Sequence, residues 1–212
     1  FERLCKERLT AHVEIQSNRH GKVKGVQMDN VAVFTRQIHG RSNDHNRAMQ
    51  LVSAANIPSQ MMAILRQELD SMVRVIYLMA QEPVRRVELI TASVNGEHWR
   101  QPNGRSRVTD REMVELAQHL QAWTLSVYKF GCAFIHLSHL HDYNDRDPMQ
   151  LLPAIEREAI LGHCRYYHGG PAGSEFADLV PYLPSVLLKV SSNLEHYLEQ
   201  LRDGGSYKSG QM

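Results

Sequence analysis

Apolar residues recur every three or four positions along most of this chain, and that rhythm decides what it can fold into. After Pro58, Met61, Leu65, Leu69, Met72, Ile76 and Met79 succeed one another at helical spacing, with Ser59 placed as the N-cap. A second stripe starts at Thr109-Asp110-Arg111-Glu112. This is a capping box, in which the hydroxyl and the carboxylate each satisfy an orphan backbone N–H. Met113, Leu116, Leu120, Trp123, Val127, Phe130, Phe134 and Leu137 carry the stripe on to His141, which predicts one helix long enough to span the molecule. Gly131, set among bulky residues, is the place where a neighbouring helix can come close.

Four more segments share the period. Val31, Phe34, Ile38, His45, Ala48 and Val52 predict one long helix between Met28 and Asn56, loosened around Gly40. Val84 to Val94 reads as a short helix stopped by Asn95-Gly96, and Gln101 to Arg107 as a polar loop on which Trp99 is an anchor. Pro153 suits the first turn of a helix that runs to about His168, where Gly169-Gly170-Pro171 ends it. From Pro184, Val186, Val190, Leu194, Tyr197 and Leu201 point inward until Asp203-Gly204-Gly205. An amphipathic helix must bury its stripe against another element, so this many stripes predict an all-α fold, an antiparallel helical bundle. The bundle occupies residues 28–203, preceded at 1–27 by an irregular peripheral extension, a helix plus a small hairpin, and followed at 204–212 by a flexible tail.

Composition narrows the function. The chain has 212 residues, 42% of them hydrophobic and 22% charged, which suits one globular domain. A formal charge of +1 gives no global field to recruit nucleic acid, so any basic surface must be local. Cys5, Cys132 and Cys164 are too scattered for a disulfide framework, which fits a cytoplasmic setting. No apolar run reaches the roughly 20 residues of a membrane helix, so no membrane partner is expected. Walker, dinucleotide and Gly-x-Ser-x-Gly motifs are absent, and no cofactor is expected. The methionines Met61, Met62, Met72 and Met79 read as core filler. Arg66, Asp70 and Arg74, at steps of four, read as a solvated ion-pair ladder, and the arginines at 100, 105, 107 and 111 as a solvated basic loop. Arg41 and His45 lie one above the other, with His45 on the apolar stripe as a satisfied core histidine.

The unusual residue type is histidine, of which there are 12. Three fall in Phe134-Ile135-His136-Leu137-Ser138-His139-Leu140-His141-Asp142-Tyr143. On an ideal helix His136 and His139 lie about 60 degrees apart, but His136 and His141 about 140 degrees apart. The second pair converges only if the last turn tightens or frays. The partial negative charge at a helix C-terminus favours an imidazolium, the form that donates a proton. His163 and His168, with Arg165 between them, close the next helix and would lie nearby if the two helices pair. Imidazoles and Asp142 at such spacing are also metal-ligand types, although no His-Glu-x-x-His motif is present and no metal is expected.

A helical bundle whose long helix ends in a basic residue, a short gap and then His141-Asp142-Tyr143 resembles the HEPN superfamily, many of whose members are metal-independent ribonucleases. The family motif has Arg followed by a polar residue, four to six positions before the histidine. Here His136 and Leu137 stand at those positions. The resemblance spans roughly Met28 to Leu201, mostly as helix pattern. It implies a homodimer in which two copies of the motif meet, with RNA or a protein as partner. The implied chemistry gives His141 acid/base work, His136 the motif's basic position, Arg146 or Arg165 phosphate stabilisation, and Tyr143 an orienting role. Two alternatives stand beside it, a non-catalytic HEPN-like interaction module and a metal-dependent phosphohydrolase.

Overall fold

The computed structural model describes residues 29–204. The helix and hairpin expected within 1–27, and the tail beyond Gly204, lie outside the described residues. Helices follow one another as α1 (Asn30–Ala54), α2 (Pro58–Met79), α3 (Pro83–Val94), α4 (Asp110–Gln118), α5 (Thr124–Ile135), α6 (Pro148–Leu151), α7 (Ala154–His168), α8 (Phe176–Leu179) and α9 (Leu183–Arg202), with 3-10 turns at His139–Asp142 and Val180–Tyr182. The fold is an all-α antiparallel bundle. Among the described residues the only β pairing is an isolated bridge between Arg100 and Arg107.

The first stripe becomes the axis. α2 packs against α1, α4, α5 and α9, and Leu69, Met72, Val73, Val75 and Ile76 are wholly excluded from solvent. Each such side chain contributes about 1.5–3 kcal/mol relative to exposure. The four methionines of α2 are at most 1% exposed, as core filler should be. Gly131 of α5 faces α2 so closely that a Cβ there would fall 2.7 Å from the Arg66 Cβ, which is the close approach the sequence led us to expect. Trp99 is buried, stacks on Tyr77 and donates its indole N–H to Ser93 Oγ at 2.8 Å, anchoring the loop before α4.

Three expectations need correction. The stripe from Thr109 to His141 is not one helix: α4 ends at Gln118 and α5 begins at Thr124. In the break both Leu120 and Gln121 donate to the Ala117 carbonyl. The Trp123 indole donates to Gln121 Oε1, whose amide reaches the Tyr197 hydroxyl. The apolar period continues across the turn, so periodicity could not reveal it. Ser59 does not cap α2, which starts with Pro58 after Ile57 and has no side-chain cap. The Arg66-Asp70-Arg74 ladder is not a solvated face, because Arg66 is only 5% exposed. Its guanidinium lies 4.3 Å over the Tyr128 ring and pairs with Asp110, while Arg74 and Arg41 take Asp70.

Candidate functional site

The histidine-rich turn that the sequence singles out follows α5 directly. α5 stops at Ile135 and the chain leaves it extended through His136, which is exposed, as is His139. Ser138 then starts the 3-10 turn: its hydroxyl donates to the Ala133 carbonyl at 2.8 Å and accepts from Leu140 N–H at 3.2 Å. The Ser138 N–H donates to His141 Nδ1 at 3.3 Å, and the half-buried imidazole sits 5.7 Å from the Phe134 ring. With Nδ1 accepting, the proton of the neutral ring is on Nε2. Among the described residues no hydrogen bond or ring contact joins His136 to His141.

Of the remaining predicted residues, Tyr143 and Arg146 share one groove and Arg165 is engaged elsewhere. The Tyr143 hydroxyl donates to Ser59 Oγ at 3.4 Å and its ring packs among Phe134 and Phe176. Arg165 donates to the Pro171 and Gly173 carbonyls at 2.9 and 3.0 Å, tying down the loop after α7. Exposed Arg146 joins Tyr143 on the wall of an open groove of about 740 Å³, in the company of Asp145, Asp147 and Glu175. Asp147 Oδ1 caps α6 and also accepts from Phe176 N–H, while its Oδ2 is buried without a partner. Three carboxylates against one guanidinium make this groove unfavourable for a phosphodiester. Among the described residues no three His, Cys, Asp or Glu side chains come together as a metal-holding group.

Sequence reading missed a polar centre beneath the surface. Glu68 of α2 is completely buried. Its Oε1 accepts from Ser42 at 2.5 Å and Ser191 at 2.8 Å, and its Oε2 pairs with His45 Nδ1 at 2.6 Å. Burial alone would raise the Glu68 carboxyl above its ordinary value, but the hydrogen bonds from His45, Ser42 and Ser191 outweigh it and hold the carboxyl lower. The centre joins α1, α2 and α9. His45 is thus the satisfied core histidine the sequence indicated.

The second missed feature is a cleft of about 60 Å³ between α2, α5, α7 and α9. Its floor is apolar, formed by Met62, Leu65, Trp123, Phe130, Leu183 and Val190. Polar groups are few: Ser126, His163, His168 and Lys189, with Tyr167 beside them. His163 Nδ1 is buried with no hydrogen-bond partner. Burial holds both imidazoles below their ordinary value, and Lys189 adds to the effect on His168. Burial likewise pushes the Cys164 thiol up, against a smaller opposing effect of Arg165. His163 and His168 therefore belong to this cleft and not to the His136–His141 turn. The spacing Ile160, His163, Cys164, Tyr167 was a visible helical face, but only tertiary packing shows what it encloses.

Compared with known proteins, the chain matches no family model, no curated protein and no solved structure. No helix among the described residues is long and apolar enough to cross a membrane.

Proposed function

We propose that this protein is a small-molecule-binding helical module whose site is the cleft between α2, α5, α7 and α9. One observation carries the reading: an apolar cleft has an unpartnered buried nitrogen, His163 Nδ1, on its wall. Buried polar atoms are nearly always hydrogen-bonded, and an apolar pocket with a few convergent polar groups of shifted pKa is the usual form of a ligand site. A neutral probe tests it. Hexan-1-ol titrated into the full chain should change tryptophan fluorescence saturably, since Trp123 lines the floor. In Val127→Phe, which fills the cleft, the change should vanish while the circular dichroism spectrum is kept. A linear response, or an equal one in the filled variant, overturns the reading.

A second reading is HEPN-type RNA cleavage by a homodimer, favoured by the exposed His136 and His139. It predicts cleavage of single-stranded RNA in the presence of chelator, lost in both His136→Ala and His141→Ala. Intact RNA with the unaltered protein removes it and leaves the binding module.

A further inference from the structure

Resting on the cleft reading, we infer that the ligand is a short monoanionic amphiphile, a carboxylate with an apolar tail of about four to six carbons, whose head sits at Lys189. The charge of the cleft's lining and the cleft's size select this ligand.

None of the residues lining the cleft is acidic, and Lys189 carries the only permanent charge among them. It stands on α9 beside Val186 and Val190, which point into the apolar floor. Its ammonium lies 5.8 Å from the centre of the Tyr167 ring and makes no ion pair among the described residues. Opposite it, α7 contributes His163, Cys164, Tyr167 and His168, and α5 contributes Ser126. Burial, with Lys189 adding to the effect on His168, lowers both imidazoles and so favours the neutral ring, which offers an N–H donor without a second full charge. An anionic head therefore meets one cation and neutral donors at the mouth. A cationic head would face Lys189 with no carboxylate to offset the repulsion. A neutral ligand would leave that charge unused.

Size sets the tail. Roughly 10–15 Å³ of such volume holds one water-sized group, so a cleft of about 60 Å³ takes about four to six in line. That suits hexanoate. It is too little for a long fatty acyl chain, whose far end would have to remain in water.

The test compares hexanoate with hexan-1-ol on the full chain, by tryptophan fluorescence and calorimetry. Lys189 is exposed, so Lys189→Gln should fold normally. Hexanoate should bind about two- to fivefold more tightly than hexan-1-ol, as one exposed charge pair allows. In Lys189→Gln the ratio of hexanoate to hexan-1-ol affinity should fall to about one. Among butyrate, hexanoate and dodecanoate, affinity should rise to hexanoate and then level off. Equal binding of acid and alcohol to the unaltered protein, or an acid preference that survives Lys189→Gln, refutes the anionic class. A steady rise through dodecanoate refutes the size limit. Failure of both probes refutes the cleft reading itself.

Discussion

Glu68 gives the sharpest test of how this bundle is held together. Its carboxylate is the common acceptor of His45, Ser42 and Ser191 and has no contact with solvent. Glu68→Ala removes the acceptor and leaves three donors from two other helices facing a void. Removing one partner of a buried ion pair costs about 3–5 kcal/mol, most of it the penalty of the group left behind. Glu68→Gln behaves differently. Its amide oxygen can still face the two serines, and its NH2 can meet His45 Nδ1 if the ring carries its proton on Nε2. What goes is the charge assistance, on the order of 1–2 kcal/mol. For a domain of this size each kcal/mol shifts Tm by roughly 2–4 °C, so urea and thermal unfolding separate the two variants easily. A Glu68→Ala variant within about 1 kcal/mol of the unaltered protein, the range of an ordinary substitution, would show that the buried acceptor does not hold these helices together. A Gln variant as costly as Ala would mean that shape and not hydrogen bonding explains the site.

Two further outcomes follow from the same packing. Because the folded Glu68 carboxyl titrates below its ordinary 4.5, the stability it contributes is complete above that value and is lost as pH falls through the lower folded value; acid unfolding should therefore be flatter below pH 4.5 in Glu68→Gln when followed by circular dichroism. Gly131→Ala should cost about 1–3 kcal/mol in urea unfolding despite the better helix propensity of Ala, because the new Cβ would sit 2.7 Å from the Cβ of Arg66 on the central helix; a neutral or stabilising result would show that α5 can retreat from α2 freely.

How far the sequence reached depends on what each kind of signal records. Periodicity reports which face of a segment is apolar, so it found α1, α2, α3, α7 and α9 to within a few residues. Gly169 closes α7 in the left-handed conformation at φ 75, as the Gly-Gly-Pro stop implied. It could not show the turn between α4 and α5, since Leu120 and Trp123 stay in phase across it. The short helices α6 and α8 escaped for another reason: four residues cannot display a period. For the site, proximity in sequence does not report what each side chain touches. His136, His141, Tyr143 and Arg165 look concentrated along the chain, yet Ser138, Ser59 and the Pro171–Gly173 loop take three of them as structural partners. The groups that do converge, Ser42, His45, Glu68 and Ser191 on one side of α2 and Trp123, His163 and Lys189 on another, come from segments far apart in sequence.

These two convergences are connected through the rotation of α2. A helix apolar on nearly all sides has little reason to prefer one rotation about its axis, and α2 is such a helix over its second half, where Leu69, Met72, Val73, Val75 and Ile76 are all fully enclosed. Arg66 and Glu68 remove the freedom. Two residues apart, they point about 200 degrees from each other around the helix. Arg66 is held by Asp110, Tyr128 and Cys132 on the side of α4 and α5, and Glu68 by α1 and α9. Turning α2 by one position would put Gln67, now exposed, where Glu68 belongs and would strip both charges of their partners at once, costing several kcal/mol. The rotation fixed in this way turns Met62 and Leu65 into the cleft. Neither buried charge lines the cleft, and together they set the rotation that presents its floor.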